Sequence, residues 1–249
     1  MLITIITVVY NGANTIGETL QSVCAQTYPD IEHIVIDGAS SDQTLSIVRT
    51  FPHVKKIVSE TDNGPYDAMN KGIALAKGAL IGILNADDVY VNNKVIEKVA
   101  HLFQQDDSLD LLYGNIEYFD TKQPGKILRY WQTKPYYETF FEDGEVPPHP
   151  SLFVKKTVYQ TIGKYNPTFK ISGDYDFMFR ALKIHNYKSY FLAETMVKMR
   201  LGGISTSGVK SYWISTKELM KVWRINGFTY PPKLLVLRPI KKIWQYYIA

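Results

Sequence analysis

Cysteine is nearly missing from this chain of 249 residues, Cys24 standing alone. One thiol excludes an internal disulfide and a cysteine-rich zinc cluster, and fits a reducing compartment, the cytoplasm being the simplest expectation. Long apolar runs are missing too: no stretch reaches the roughly eighteen residues that cross a bilayer, which sets aside a spanning helix. Positive charge is absent until Arg49, so the apolar start at residues 1–11 lacks the basic flank of a secretory signal and reads as a buried strand. No internal repeat or low-complexity tract is present. With 45% apolar and 21% charged residues, collagen-like, coiled-coil and broadly disordered classes are excluded. At this length a chain buries most of its unfolded apolar surface without crosslinks.

Acid is scarce at the end. Residues 210–249 hold eight Lys or Arg against one acid, Glu218, a surplus of seven in a chain of net charge +4, so the remainder is net negative. Such a split points to an anionic partner for the C-terminus. Tyr and Trp at 212, 213, 223, 230, 244, 246 and 247 interleave with those charges. Aromatic plus basic suits a bilayer interface, and nucleic acid also suits the mixture. The alternative is a solvated basic end whose aromatics pack on the main body.

What is present is an alternation of strand and helix patterns. Residues 2–9 are almost all apolar and β-branched, the pattern of a strand covered on both faces. A turn at 10–14 and a helical pattern from Thr15 follow, with Ile16, Leu20 and Val23 at helical spacing. Strands are expected at 32–36, 56–59 and 80–84, each leading into a helix, at 44–50, 66–76 and 92–104. This spacing predicts right-handed crossovers and a doubly wound, mostly parallel α/β sheet. Ligands bind such sheets beyond the carboxyl ends of the strands, which here carry Asn11, Asp37 and the pair Asp87 and Asp88. After Asp110 the expectation is a smaller, more antiparallel region, with strand-like runs at 111–113, 116–119 and 127–130 separated by a Gly and Pro turn. Pro147, Pro148 and Pro150 should fix His149 in a rigid loop. A helix is expected over 175–185, with Asp174 as its N-cap.

Each polar residue is ambiguous alone. Asp87-Asp88 offers the hard oxygens that suit Mg²⁺ or Mn²⁺ shared with a diphosphate, yet it is also an ordinary turn pair. Asp37 can simply hold the turn through Ser40 and Ser41. Asp67, Asn70 and Lys71 fall near one helix face, where Lys71 either counters a phosphate or pairs with Asp67. Only their joint occurrence is specific.

Taken in order, Val8-Val9-Tyr10-Asn11, the segment Asp37-Gly38-Ala39-Ser40-Ser41-Asp42, Asp62-Asn63-Gly64, Lys71-Gly72, Asn85-Ala86-Asp87-Asp88 and Gly173-Asp174 resemble the family 2 glycosyltransferases, which have the GT-A fold. The resemblance covers about residues 1–205, and is nearest to small bacterial enzymes of O-antigen and exopolysaccharide synthesis. It implies a Rossmann-like nucleotide-sugar half at 1–108, an acceptor half at 109–205, and a basic aromatic extension at 206–249. It implies that Asn11, Asp37, Asp62, Lys71 and Asp87 contact the nucleotide sugar, with Asp37 on uracil and Asp87 on ribose. Asp88, with Asp87 nearby, would hold Mg²⁺ or Mn²⁺, and Asp174 would be the general base, Asp176 being the alternative two residues on. His149 would contact acceptor or diphosphate, or be a packed loop histidine. Asn85 departs from the commoner Asp-Ala-Asp-Asp version and receives no metal role.

The resulting expectation is an inverting, non-processive transferase moving one sugar from a UDP-sugar to a saccharide or polyprenyl-diphosphate-linked acceptor, in the cytoplasm or on the inner membrane face. The Gln-x-x-Arg-Trp signature of processive synthases is absent. No nucleic acid is expected under this reading. The rival readings are a sugar nucleotidyltransferase, disfavoured because the first turn lacks a Gly-rich basic loop for a triphosphate, and a noncatalytic membrane or nucleic-acid binding module built on the tail.

Overall fold

The apolar start of the chain becomes the centre of a sheet. In a computed structural model, which describes residues 1–120, 126–200 and 209–247, β1 (Ile3–Val9) is buried along its whole length. It is flanked in parallel by β2 (Ile31–Asp37) and β4 (Leu80–Ile83), and β3 (Val54–Ser59) lies parallel outside β2. Burial on both faces is why β1 and β4 read as apolar runs rather than as alternating patterns, while β3, at the sheet's edge, is partly exposed and carries Lys55 and Lys56. Ile6 and Val8 face a core shared with Tyr66, Met69 and Ile73 of α3 (Pro65–Leu75). Ile3 and Ile5 face another, with Val23 of α1 (Ile16–Cys24) and Ile96, Val99 and Phe103 of α4 (Val95–Gln105). A smaller cluster joins Ile16 and Leu20 to Val35 and to Val48 of α2 (Thr44–Val48). Helices therefore cover both faces of the parallel strands, as expected.

Beyond β4 the sheet becomes mixed. β8 (Phe153–Lys155) runs antiparallel to β4 and to β6 (Leu111–Phe119), β7 (Ile127–Trp131) antiparallel to β6, and β5 (Val89–Tyr90) antiparallel to β9 (Ser189–Arg200). The described strands follow the order β3-β2-β1-β4-β8-β6-β9-β5, with β7 on β6. Two strand expectations need correction. The runs at 111–113 and 116–119 are one strand, because the Gly114-Asn115 break is absorbed by register shifts against β9. β9 itself, twelve residues long and parallel to β6, was not foreseen, since its mixture of Leu, Ala, Glu, Met and Lys has no clean period of two. The Gly and Pro turn near 121–125 and the boundary expected at 205–206 lie outside the described residues.

α5 (Lys156–Ile162) is followed by α6 (Gly173–Phe179), which begins before the expected helix and passes into a single π turn, Arg180–Ile184. Asp174 is not its N-cap. Ser172 holds that position, because its carbonyl accepts the first helical bond, from the Asp176 N–H at 3.0 Å, which puts Asp174 in the first turn. The basic end forms two helices, α7 (Val209–Ile225) and α8 (Leu234–Tyr247). Leu219, Val222 and Trp223 of α7 and Leu234 of α8 enter the core that contains α3. Trp223 is buried and its Nε1 donates to the Tyr175 hydroxyl at 2.9 Å, so the aromatic satisfies its one polar group as it packs.

Candidate active site

Because β1, β2 and β4 are parallel neighbours, their carboxyl ends bring Asn11, Asp37 and the 85–88 segment to one sheet edge. Asn11 is left-handed, φ 49°, a conformation that asparagine adopts more readily than most residues. Its Oδ1 accepts the Ser41 N–H at 2.9 Å and its own N–H donates to Ser40 Oγ at 2.8 Å. The next two N–H groups donate to Thr44 Oγ1 at 2.9 Å and Asp42 Oδ2 at 3.1 Å. The Thr44 hydroxyl donates to Asp42 as well and holds its carboxyl below the usual range. The first turn is thus laced to the segment after β2.

Asp37 is fully buried at the end of β2. Its Oδ2 accepts from the Ser40 N–H at 3.0 Å and from the Ser59 hydroxyl at 2.6 Å, while its Oδ1 is buried without a partner among the described residues. Gly38 brings the turn close to Asp62: a Cβ there would lie 2.6 Å from Asp62 Oδ2 and would push that carboxylate aside. Asp62 in turn accepts the Gly64 N–H at 2.9 Å and shapes the entry to α3. Lys71 lies 3.0 Å from Glu60 and 3.9 Å from Asp67, and donates to the Thr61 carbonyl at 2.8 Å. The Glu60 hydrogen bond raises its pKa, so its charge is engaged with the 60–62 loop.

Asp88 is fully buried after β4. Its N–H donates to the Asn85 carbonyl at 3.1 Å and its Oδ2 accepts from Asn85 Nδ2 at 2.9 Å, which gives Asn85 a use that a carboxylate in its place could not serve. Asp88 Oδ1 has no partner among the described residues. Burial and the neighbouring Asp87 charge push the Asp88 carboxyl well above the usual range, and burial raises that of half-buried Asp87. Arg200, at the end of β9, offsets both. It stacks on Phe119, pairs with Glu18, and keeps a buried Nε without a partner among the described residues. Sequence reasoning missed Arg200 together with its strand; the signal available was that two adjacent buried acids call for a cation nearby. Among the described residues no group of three or more His, Cys, Asp or Glu is gathered to hold a metal. Two hard carboxylates with one orphaned oxygen do fit a cation whose remaining ligands come from a diphosphate.

Asp174 is half-buried; its Oδ1 accepts the Tyr175 N–H at 2.8 Å and lies 3.1 Å from the Tyr66 hydroxyl, whose one proton is shared with the nearer Ile171 carbonyl at 2.6 Å. Tyr66 sits in the first turn of α3, next to the sheet edge, and was also missed from sequence. Burial first, then the Asp174 charge, raises its pKa well above the usual phenol value, so it stays a donor. Gly173 makes the contact possible, since a Cβ there would meet the Tyr66 ring at 2.8 Å. Asp176 is buried and paired with Arg180 at 3.0 Å, whose other nitrogens donate to the carbonyls of Ile162 and Lys164. His149 is buried, its Nε2 at 2.9 Å from the Tyr165 hydroxyl. Burial lowers its pKa, and the Asp174 charge acts the other way. Tyr165 is anchored to α3 by two bonds with Asn70. The acid and the aromatic cluster beneath it are therefore fixed by the same helix.

Residues 4–157 match the family model described as Glycosyl transferase family 2. That span includes every strand-end acid above and stops short of Asp174. Over 215 residues the chain is 29% identical to an uncharacterized glycosyltransferase of Rickettsia prowazekii, covering 83% of this chain and 66% of that protein. Over 174 residues it is 31% identical to a PGL/p-HBAD biosynthesis glycosyltransferase of Mycobacterium bovis, covering 68% and 65%. The chain thus spans about two thirds of the length of these relatives. Among solved structures, S. aureus TarS 1–349 in complex with UDP-GlcNAc aligns with a TM-score of 0.71 at 19% identity, over 91% of this chain and 65% of that one. The mannosyltransferase PcManGT from Pyrobaculum calidifontis, in complex with GDP-Man and Mn²⁺, aligns at 0.66 with 17% identity, over 96% and 68%. At such identities the likeness establishes the fold, the mixed α/β GT-A arrangement.

Proposed function

Since the chain belongs to the family 2 glycosyltransferases, we propose that it moves one sugar from a nucleotide sugar, specifically a UDP-sugar, to a saccharide acceptor with inversion, without processive polymerisation. The acceptor is carried on polyprenyl diphosphate and the product belongs to a bacterial surface polysaccharide. The single observation that carries this reading is that two of the buried, unpartnered carboxylate oxygens, Asp37 Oδ1 and Asp88 Oδ1, lie at the end of β2 and in the segment after β4, the two strands that flank β1. A buried acceptor without a donor is destabilising by about 1–3 kcal/mol, and a ligand that supplies the missing partner recovers it. Uracil offers an N–H to the first, and a divalent cation satisfies the second. Neighbours of the same fold bound to UDP-GlcNAc, and to GDP-Man with Mn²⁺, support both.

In this reading Asp37 accepts the base N–H, with Asn11 and the Ser40-Ser41 turn fixing the wall beside it. Asp87 takes the ribose. Asp62 and Lys71 act on the donor through the 60–64 loop they hold. Asp87 and Asp88 would hold Mg²⁺ or Mn²⁺, which when bound stabilises the charge that develops on the departing diphosphate. Asp174 works on the acceptor. Its Oδ1 faces the Tyr175 N–H and the Tyr66 hydroxyl, so Oδ2 is left to accept the acceptor proton as the hydroxyl oxygen attacks the anomeric carbon opposite the nucleotide. The C–O bond to the diphosphate breaks as the new one forms, and the anomeric centre inverts. His149 contributes by holding Tyr165 against this acid.

The test is nucleoside diphosphate release from UDP-, GDP- and dTDP-sugars with Mn²⁺ and a lipid-linked saccharide acceptor, with the product anomer read by NMR. Release of UDP with an anomer opposite to that of the donor is expected. Retention of configuration, or pyrophosphate release from a nucleoside triphosphate and a sugar phosphate, would overturn the proposal.

A further inference from the structure

Helix α8 is inside out for a helix packed on a protein surface. At 100° per residue Val236, Ile240, Ile243 and Trp244 fall within an arc of about 100°. They are 60%, 43%, 56% and 63% exposed. The polar side chains point the other way: Arg238 donates to Ser215 Oγ at 3.0 Å, Lys241 pairs with Glu145, and Gln245 accepts from Arg129 Nε at 2.6 Å. Leu234, on that inward side, is buried. The helix thus uses its charges to hold the body and turns its apolar stripe outward, the reverse of what water favours.

Charge decides what covers the stripe. α7 is joined to α8 by the Tyr212 hydroxyl on the Leu235 carbonyl at 3.0 Å and by Arg238 on Ser215. It carries exposed Lys210, Lys217 and Arg224. The one acid of the two helices, Glu218, is taken up by the backbone N–H groups of Lys170, Ile171 and Ser172 at 2.7–2.9 Å. A second copy meeting this face about a two-fold axis would bring like charges together. An anionic lipid surface answers both features at once, with apolar side chains and a Trp at the acyl boundary and cations among the headgroups.

We propose that α8 is a membrane-docking helix: Val236, Ile240, Ile243 and Trp244 enter the interface of a bilayer bearing anionic headgroups, and the cations exposed on α7 engage the headgroup phosphates. This surface does not depend on the sugar-transfer reading, and its test uses neither donor nor acceptor. The full chain is sedimented with phosphatidylcholine vesicles and with vesicles that also contain phosphatidylglycerol, at low and high salt. Binding to the anionic vesicles, weakened by salt, is expected. Ile243→Asp with Trp244→Ala should lower partitioning about tenfold or more, with an unchanged or higher thermal midpoint because the face is already exposed. Lys217→Gln with Arg224→Gln should weaken binding and flatten its salt dependence. Failure to bind anionic vesicles, or equal binding by the folded Ile243→Asp variant, overturns the proposal. So does a dimer in solution that this variant dissociates, which would make a second copy the occupant.

Discussion

At the amino end of the parallel strands, the buried Thr4 hydroxyl donates to Glu32 at 2.6 Å and accepts the Gly78 N–H at 2.9 Å, while Glu32 also takes the Lys77 N–H at 2.7 Å. Polar groups there satisfy one another. At the carboxyl end of neighbouring strands, Asp37 and Asp88 are equally buried, but each keeps one oxygen without a partner among the described residues. Around Thr4 the sheet therefore closes its polar network, His53 Nδ1 beside β3 being the exception at this end, and at Asp37 and Asp88 it leaves carboxylate oxygens open. An open network is unfavourable in the empty protein. It makes sense where a ligand completes it, and it separates the groups that serve stability from those that serve binding.

The largest expected effect lies on the open side. Asp174→Asn should cut turnover by roughly 10²–10⁴-fold, the usual weight of a general base, with UDP affinity unchanged in calorimetry. Near-normal turnover removes Asp174 from the role. Asp88→Asn should lower affinity for UDP with Mn²⁺ at least about tenfold, yet leave the ligand-free thermal midpoint unchanged or raised, because it removes a buried charge that lacks a full set of partners.

The closed side responds through stability alone. His33 is buried on β2 between Thr7 Oγ1 at 3.0 Å and His53 Nε2 at 3.1 Å, and burial, then His53, pushes its pKa down from 6.5 to about 3. Between those values the unfolded chain binds a proton that the folded chain refuses. Stability should therefore fall as pH drops from 6.5 toward 3, and His33→Asn should flatten that slope in urea melts across pH. Thr4→Val has the smallest expected effect, a loss of about 1–2 kcal/mol as its two partners are stranded, with UDP affinity intact. If Thr4→Val instead weakened UDP binding, or Asp88→Asn destabilised the empty protein as much as Thr4→Val does, the contrast between the two ends would fail.

Much of the open end is legible in the amino-acid sequence. Strands buried on both faces must be apolar throughout, so the abrupt change to Asn11, Asp37 and Asp87-Asp88 marks where they reach the sheet edge. What the sequence hides depends on contacts between distant parts of the chain. Tyr66 and Asp174 are 108 residues apart, and nothing local to Tyr66 announces that its hydroxyl serves the later acid. Arg200 is lost with β9, whose composition lacks a strand period, and Asp174 moves into the first turn of α6 because a backbone carbonyl, not a side chain, opens that helix. The outward apolar stripe of α8 shows in the sequence only as a basic, aromatic tail; which face it turns outward is decided by Glu145, Arg129 and Ser215, all on other elements.

If the open polar edge is a nucleotide-sugar site, a nucleotide that fills it raises the thermal midpoint of the folded chain. The midpoint of the full chain is followed against UDP, GDP, CMP and dTDP, each with and without Mn²⁺. A concentration-dependent rise with UDP and Mn²⁺ together, lost in Asp88→Asn, is the predicted result. No rise with any nucleotide in folded protein, or an equal rise in Asp88→Asn, would contradict it.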